Sequence, residues 1–564
     1  QAKRRRKGAY VQYPVCEPNE WNGDFYQVRP LPDEAVVTKH RYGAFESTDL
    51  DLRIAADSSK LTDLSGAALK LPGETDSLVC DVGGRLFAVF APEKTRFSAG
   101  AAGVDVTFSG RQRFLVLALL PDLKFAPEFK KYAYAVPRDT RFSYKYDREA
   151  GEVVTTWAVQ ADALRGEQKE VLQGWLPHHW RSTRHTLKFA EPTFATQRGT
   201  LRLAAGNSFE IAWPFTGMLP AFPLPGPQKD TANPFDPARM GEFIQKFTED
   251  REAQPANKRY GDDTYWGAKD ILRLAQALTI ARQLKHPAAD KLRTLLAECL
   301  TDWFTYTPGE KAHYFARYPA PWNGLVGFKT SYGSGAFTDN HFHYGYFTLA
   351  AALLAMDDPQ FKNSFGPITK LIAKQYANWD RNDKNFPYLR CFDIWAGHSY
   401  AGGLSNRDDG NNQESSSEAM QSWSGLFLLG AAVNDDAMQT CGAMGYAIEA
   451  QAVDEYWNDY FGWKLGAAAA NHPPAYKEKH AIVSVLRDRD IGYWTWFSGE
   501  AIHIYGIQWL PVWTSMHYFG RHPDFANWHM QQMLTAQGKG TPVTYAKLGD
   551  DWGNVALGYS LFAA

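Results

Sequence analysis

The chain lacks the features that mark several large classes of protein. Its five cysteines, at positions 16, 80, 299, 391 and 441, show no C-x-x-C spacing, so the sequence predicts neither a zinc site nor a dense disulfide framework. Apolar runs such as residues 114–120 fall far short of the roughly 20 residues that a membrane-spanning helix needs. The formal net charge is only -2, which leaves no overall field to attract nucleic acid or an anionic membrane. The basic run at residues 3–7 is short and typical of a solvated tail.

Length and aromatic side chains are what the sequence has in abundance. A chain of 564 residues predicts two to four domains. Its 19 Trp, 28 Tyr and 34 Phe suit packed cores, and they also suit the apolar C–H faces of sugar rings. Composition alone does not separate these two uses.

Up to about residue 225 the sequence is typical of short antiparallel strands. Segments rich in Val, Phe, Thr and Leu alternate with Gly, Pro, Asp and Ser, a pattern that indicates a β-sandwich. The clearest segments begin at residues 85, 104, 113 and 152. Two more strands are predicted around a Gly206-Asn207 turn. Six prolines between residues 217 and 240 exclude a long helix or a central strand there and predict a connector.

From about residue 240 the hydrophobic period becomes helical. In residues 270–284 apolar side chains recur at spacings of three and four, at Ile271, Leu274, Ala275, Leu278 and Ala281. Further helices are predicted near residues 289–304, 342–356, 366–379, 413–433, 436–457, 500–518 and 523–537. So many helices without a fixed-period repeat favour helix pairs that close into a barrel over an open solenoid.

Two glutamates stand four residues apart behind a polar turn, in DDGNNQESSSEAMQSW at residues 408–423. We expect one of the two asparagines to cap a helix that begins near Gln413. On that helix Glu414 and Glu418 would share one face, with β-carbons about 5–6 Å apart, so in a cleft one pKa should rise. A solvated acidic helix start would give the same pattern, and the pair alone leaves both interpretations open.

A second segment, TDNHFHYGYF at residues 338–347, places one aspartate and two histidines among aromatics. His341 and His343 have the H-x-H spacing of a metal pair, but no third ligand motif accompanies them, so no metal is predicted. The apolar run that follows indicates a helix start, with Asp339 at or before the N-cap. A capping aspartate beside packed histidines and a set of polar residues that face a groove both fit this pattern.

Two further segments combine acids with aromatics, CFDIWAGHSYAGGL at residues 391–404 and YWTWFSGEAIHIYGIQWLP at residues 493–511. The first lacks a G-x-S-x-G elbow, so a serine hydrolase is a poor match. Several acidic segments that enter helices amid Trp, Tyr and His predict the rim of one cleft. Glycoside hydrolysis fits this combination, because it uses separated carboxyl groups and aromatic platforms without a metal or cofactor. One carboxylic acid protonates the leaving oxygen, and another carboxylate activates water or attacks the sugar directly.

These blocks closely resemble the signature segments of glycoside hydrolase family 81, the endo-β-1,3-glucanases. Further blocks follow in the family's order, namely LPHHWR at 176–181, PFTGMLP at 214–220, DDTYWGAKDILRLA at 262–275 and WFSGEAIHIYGIQWLP at 496–511. The resemblance implies a multidomain α+β fold. Its parts are an N-terminal antiparallel β-sandwich at 1–175, a small α/β linking domain at 176–238 and a C-terminal (α/α)6 barrel at 239–564.

The resemblance also implies endo-cleavage of β-1,3-glucan, of the laminarin and curdlan type, by a single-displacement inverting mechanism. Asp339 matches the family's general acid, Glu414 its proposed general base and Glu418 a second essential glutamate. The residues alone leave open which glutamate activates water. Substrate-binding residues are expected at His341, His343, Tyr344, Asp393, Trp395, His398, Tyr400, Gln413, Trp494, Trp496 and His503. No cofactor or metal is expected, and the partner is the polysaccharide or an oligosaccharide, without nucleic acid or membrane.

Two other functions stay open at this level. A helical-toroid polysaccharide lyase would need cations to neutralise a uronic acid, and the candidates near these motifs are Lys269, Arg390 and Arg407. A non-catalytic β-glucan-binding protein could use the same scaffold and aromatics. We expect a monomer that is secreted or periplasmic, and whose signal segment is absent from this chain.

Overall fold

The computed structural model describes residues 52–54, 56, 60–100, 103–226, 234–318, 324–403 and 410–563. Contacts divide the chain into two compact units. The first takes the described residues up to Ser143 with Thr155–Trp180 and Arg184–Ile211, and the second takes Tyr144–Val154, Arg181–Thr183 and the described residues from Ala212 onward. The bounds of the three domains inferred from the sequence stay a prediction. The basic run at residues 3–7, Arg407 and the start of the polar turn at Asp408 lie outside the described residues.

The N-terminal part consists of strands, two short α-helices and a 3-10 helix at Leu123–Phe125. The strands are β1 Leu52–Ile54, β2 Gly73–Glu74, β3 Ser77–Val82, β4 Arg85–Phe90, β5 Arg96–Gly100, β6 Gly103–Thr107, β7 Val116–Leu120, β8 Ala135–Asp147, β9 Glu152–Ala163, β10 Val171–Trp175, β11 Arg184–His185, β12 Phe189–Thr196, β13 Gly199–Gly206 and β14 Ser208–Pro214, and the helices are α1 Ala126–Tyr132 and α2 Pro177–Trp180. They form sheets in the orders β1-β6-β5-β2, β3-β4-β7, β10-β13-β12 and β11-β14-β9-β8. The strands predicted from residues 85, 104, 113 and 152 and on both sides of Gly206-Asn207 are confirmed.

Successive side chains of β3 and β4 enter two apolar clusters on opposite faces of their sheet, and these clusters form the core of the first unit. Leu78 pairs with Val89 across the two antiparallel strands, and Val79 pairs with Ala88. The first pair joins an apolar cluster with Phe97 of β5, while the second pair joins a separate cluster on the other face. Successive side chains of a strand point to opposite faces, so a sheet buried on both sides needs this apolar run.

The C-terminal part is helical, with short strand pairs between helices. The helices are α3 Pro237–Glu252, α4 Trp266–Gln283, α5 Ala289–Phe304, α6 Asn340–Asp357, α7 Pro359–Ala377, α8 Ser416–Ala432, α9 Asp436–Ala452, α10 Tyr460–Leu465, α11 Pro474–Lys477, α12 Ala501–Gly506, α13 Pro523–Gln537 and α14 Asp550–Ser560, and the strands are β15 Tyr314–Tyr318, β16 Gly324–Phe328, β17 Phe392–Asp393, β18 His398–Ser399, β19 Asn412–Gln413, β20 Val485–Arg487 and β21 Ile491–Gly492. Consecutive helices pair, α4 with α5, α6 with α7 and α8 with α9, and α6 packs between α4 and α8. Together with the N-terminal sheets, this confirms the multidomain α+β class.

Helices α6 and α8 lie side by side and run in the same direction. A β-carbon on Gly345 would come within 2.7 Å of Ser422, and one on Gly425 within 2.9 Å of the Leu349 backbone, so the contact partners advance together along both helices. Both helices are buried almost throughout, which explains why they are apolar on all faces. Because the helices are parallel, their N-termini lie at the same end of the second unit.

Two of the predicted helices and the predicted connector begin or end elsewhere in the structure. The helix predicted at 413–433 begins only at Ser416. The one predicted at 500–518 is broken into α12 and a 3-10 helix at Thr514–Arg521, because Pro511 lies between them and cannot donate a backbone hydrogen bond. The connector ends earlier than predicted, since Pro237 begins α3 at the first-turn position that suits proline.

Four cysteines of the described residues, Cys80, Cys299, Cys391 and Cys441, are buried and free. Cys16 lies outside the described part of the chain. Among the described residues, no helix combines the length and the apolar character needed to cross a membrane.

Candidate active site

Asp339 stands at the N-cap of α6 in a left-handed backbone conformation, with φ of 56°. Within the described part of the chain its side chain makes no capping hydrogen bond, although N-cap aspartates usually accept one. Its backbone N–H donates to the carbonyl oxygen of Ala401 at 2.8 Å, which ties the helix start to the 391–403 loop. The carboxyl group is therefore positioned by the backbone and is left available for chemistry.

Glu414 does not lie on the same helix as Glu418, which corrects the prediction from their spacing. Residues 412–413 form β19 and pair with β20, so the chain is still extended just before Glu414. The start of α8 is instead closed by Gln508, whose amide oxygen accepts the Ser416 N–H at 3.0 Å. The Gln508 amide N–H also donates to the Glu414 carbonyl oxygen at 2.6 Å. Glu414 thus precedes the helix, and Glu418 lies in its first turn.

The structure brings the three carboxyl groups together. Burial raises the pKa of Asp339 well above its ordinary 3.8, and the negative charges of Glu418 and Glu414 raise it further. Burial also raises the pKa of Glu414 to about 7, against the effect of the Trp496 N–H, which donates to its Oε1 at 3.0 Å. One cluster therefore holds an aspartate whose pKa lies well above its ordinary value and a glutamate whose pKa is about 7.

Glu418 is held by two phenols that the sequence analysis missed. Its Oε1 accepts the hydroxyl of Tyr346 at 2.6 Å and the hydroxyl of Tyr265 at 2.9 Å. The Lys269 ammonium donates to the Tyr265 hydroxyl oxygen at 3.2 Å, and burial lowers the pKa of Lys269 while the charge of Glu418 opposes that shift. Tyr265 and Lys269 lie one turn apart on α4, so only the packing of α4 against α6 reveals their role.

Five residues predicted to bind substrate are buried, so the structure argues against direct contact with a sugar: His341, His343, Tyr344, His398 and Gln413. His341 Nε2 lies 3.3 Å from the amide oxygen of Gln413. His343 Nδ1 lies 2.8 Å from the Thr264 hydroxyl, and burial lowers the pKa of both histidines to about 3. The polar atoms of His341 and His343 thus connect α6 to neighbouring segments.

The other predicted binding residues lie where a ligand could reach them. Asp393 and Tyr400 line a cavity of about 430 Å³, and Trp395 is half-buried next to it. The Tyr400 hydroxyl donates to Asp488. The Trp494 and Trp496 rings meet edge to face at 4.6 Å. His503 is half-buried against Trp552, with ring centroids 4.9 Å apart.

A buried glutamate anchors the loop that carries several of these residues. Glu449 accepts the Ser399 N–H at 2.9 Å, the Ser399 hydroxyl at 2.8 Å and the Trp423 indole N–H at 2.7 Å. Burial raises the pKa of Glu449 to about 7 in spite of these three donors. The sequence held no local sign of this role, because Glu449 is one acid within the long helix α9.

Comparison with known proteins gives one consistent family. The model of the glycosyl hydrolase family 81 C-terminal domain matches residues 237–557. A glucan endo-1,3-β-D-glucosidase from Acetivibrio thermocellus is 32% identical over 85% of this chain and 60% of its own length. A protein of the same name from Thermobifida fusca is 31% identical over 81% of this chain and 58% of its own.

Structural comparison agrees with the sequence matches. A solved glycoside hydrolase family 81 structure from Clostridium thermocellum, determined as a point mutant, superposes with a TM-score of 0.78 at 30% identity and covers 89% of this chain and 66% of that one. The present chain thus spans about three fifths of the length of the two curated relatives.

Proposed function

The chain belongs to glycosyl hydrolase family 81, and from this membership we propose that it is a hydrolase that cleaves β-1,3-glucan within the chain. Support comes from its relatives, which are named glucan endo-1,3-β-D-glucosidases. Further support comes from the cluster of carboxyl groups, which is the equipment that glycoside hydrolysis requires. The substrates we propose are laminarin- and curdlan-type chains and their oligosaccharides.

Asp339 is the general acid of the proposed mechanism, and its environment is the observation that carries the proposal. The acid must hold its proton until the glycosidic oxygen leaves. Burial and two neighbouring negative charges raise the pKa of Asp339 for that purpose. Asp339 would pass its proton to the glycosidic oxygen as the bond from that oxygen to the anomeric carbon breaks, so the departing chain leaves with a new hydroxyl group. The oxygen of the attacking water bonds to the anomeric carbon and the base takes the proton of that water.

Glu414 is the better candidate for the general base. A base must reach the attacking water while that water faces the anomeric carbon. Glu418 is only 2% exposed, and its Oε1 already accepts two phenolic hydroxyls. Glu414 is less buried, and its pKa of about 7 suits a base that works near neutral pH. Glu418 then supports the reaction through its charge, which acts on Asp339.

The test is to incubate the protein with laminarin and with curdlan, and to follow the first product anomer by NMR. A single displacement at a β-linkage inverts the anomeric carbon, so the α-anomer should appear before mutarotation mixes the two forms. Asp339→Asn should abolish sugar release and retain the fold. Early β-anomer would contradict the water-activation scheme, and absence of sugar release from both glucans would remove the proposed activity itself.

The two alternatives predict other products. A lyase would release an unsaturated sugar that absorbs in the ultraviolet. Two of the three cations it would need have other partners, since Lys269 donates to Tyr265 and the Arg390 guanidinium lies 4.3 Å from the Phe337 ring centroid. A binding protein would retain affinity in Glu414→Gln and show no hydrolysis in either form. A monomeric, secreted or periplasmic enzyme stays part of the proposal.

A further inference from the structure

Two exposed aromatic side chains stand beside the acidic cluster and were not among the predicted binding residues. Trp266, at the start of α4, is 48% exposed, and Tyr332, in the turn before the 3-10 helix Ser334–Ala336, is 58% exposed. Large aromatic rings usually lose most of their exposure on folding. Two such rings side by side therefore form a small apolar surface that a ligand could cover.

Hydrogen bonds hold the two rings in place. The Trp266 indole N–H donates to the Tyr332 hydroxyl oxygen at 3.2 Å. Asp263 Oδ1 accepts the N–H of Tyr265 at 2.7 Å, the N–H of Trp266 at 3.0 Å and the hydroxyl of Ser331 at 2.8 Å. One carboxylate thus fixes both segments that carry the rings, so the surface is formed before any ligand arrives.

Tyr265 connects this surface to the acidic cluster. Its ring centroid lies 5.3 Å from that of Trp266 and 5.3 Å from that of Tyr332, while its hydroxyl donates to Glu418. The surface is therefore one side chain away from the carboxyl groups.

A third exposed ring borders the cluster from another segment. The Trp496 side chain is 52% exposed, and the Trp496 backbone N–H donates to Glu414. One aromatic surface is thus linked to Glu418 and the other to Glu414. A linear ligand bound across the cluster can contact both.

We propose that Trp266 and Tyr332 form a glucose-binding subsite beside the acidic cluster, for the chain that the cluster cleaves. A pyranose ring would place its C–H face on the aromatic surface, and the bound glucan would extend from Trp496 past Asp339 to this subsite. Lys269, whose ammonium lies 5.2 Å from the Trp266 ring centroid, adds a hydrogen-bond donor beside the rings. This inference rests on the proposed function and adds a dependence on chain length, because only longer oligosaccharides reach the subsite.

The test measures kcat/KM on a series of β-1,3-linked glucose oligosaccharides, from the shortest that is cleaved to the heptasaccharide. Trp266→Ala and Tyr332→Ala should lower kcat/KM on the longest members by roughly tenfold, equivalent to about 1.4 kcal/mol, and on the shortest by less than about twofold. Trp266→Phe should restore most of the difference, because it retains a ring. Phe243→Ala is the matched control, since Phe243 is 58% exposed on α3 and should leave the whole series unchanged.

Calorimetry on the Asp339→Asn background separates binding from catalysis. With that protein, Trp266→Ala should weaken binding of the heptasaccharide and leave the affinity for the shortest cleaved substrate unchanged. An equal loss at every length, or no loss at the longest, would overturn the subsite. If the unmodified protein cleaves no member of the series, the proposed function itself is wrong, and that result is distinct from a flat length profile.

Discussion

Replacement of Glu418 by glutamine tests how the cluster keeps its acid protonated. Of the two carboxylates whose charge raises the pKa of Asp339, Glu418 has the larger effect. The charge of Glu418 also raises the pKa of Glu414. Glutamine has almost the same shape, and its amide oxygen can still accept the hydroxyls of Tyr265 and Tyr346. The substitution therefore removes a negative charge and leaves the local packing intact.

The sign and size of the effect follow from electrostatics. Without the neighbouring charge, Asp339 loses its proton at lower pH, and Glu414 becomes ionised at lower pH as well. Both limbs of the profile of kcat/KM against pH should therefore move towards acid. At an effective dielectric constant of about 20, two like charges that lie within roughly 5–10 Å of each other repel by about 2–3 kcal/mol. Because Asp339 is partly exposed, we expect about 1–2 kcal/mol, or a roughly 5- to 30-fold loss of kcat/KM on the alkaline side.

The assay is reducing-sugar release from laminarin between about pH 4 and 9, with Glu500→Gln as a control for the same chemical change at an exposed site. Activity on the acid side of the optimum should be retained or increased. Loss of activity at every pH would mean that Glu418 is itself the base. An unmoved profile would refute the electrostatic reasoning, because the charge of Glu418 would then have no effect on Asp339.

Three further predictions concern other parts of the site. Asp339→Asn should lower kcat on laminarin by at least about 10²-fold with little change in ligand affinity, since it removes the transferred proton, and calorimetry with steady-state kinetics separates the two quantities. Because the pKa of Glu449 rises from 4.5 to about 7 on folding, the stability that this group contributes is present in full below about pH 4.5 and is lost as the pH rises through about 7. Urea denaturation at pH 5 and pH 8 should therefore show a smaller change in the free energy of unfolding for Glu449→Gln than for the unmodified protein. Gly345→Ala should lower the melting temperature and reduce the free energy of unfolding by about 1–3 kcal/mol, since the new methyl group would lie 2.7 Å from Ser422. An unchanged melting temperature would contradict the close contact of α6 and α8.

Local signals in the sequence were sufficient for much of the fold. The strand predicted from Arg85 supplies Val89 to the core of the first unit, and the predicted Gly206-Asn207 turn separates β13 from β14, which belong to different sheets. Both signals depend on neighbours within a few residues. The helical period between residues 270 and 284 gave α4 for the same reason. The predicted start of α8 was wrong, because its N-terminus is capped by Gln508, some 90 residues further along the chain.

The candidate site was predictable in its acids and less so in their surroundings. Asp339 and Glu414 stand out as carboxyl groups in aromatic segments, and the family resemblance names their roles. His341 and His343 also stand out, as polar side chains among aromatics, yet both are buried in the structure. A polar residue in an apolar helix can be buried because it satisfies its hydrogen bonds with neighbouring segments. The position of Lys269 beside Glu418 depends on helix packing, which no short pattern encodes.

Because α6 and α8 are parallel, Asp339 and Glu418 lie at the same end of two helices. Their surroundings nevertheless differ. A helix N-terminus favours negative charge by about 0.3–1 kcal/mol at an exposed site, which opposes the raised pKa of Asp339. The left-handed conformation of Asp339 withholds the capping hydrogen bond that would add to that effect, so burial and the two carboxylate charges prevail. Glu418, in the first turn of α8, receives two phenolic donors instead. The two acids thus meet different numbers of hydrogen-bond donors, and this difference is set by packing and not by spacing along the chain.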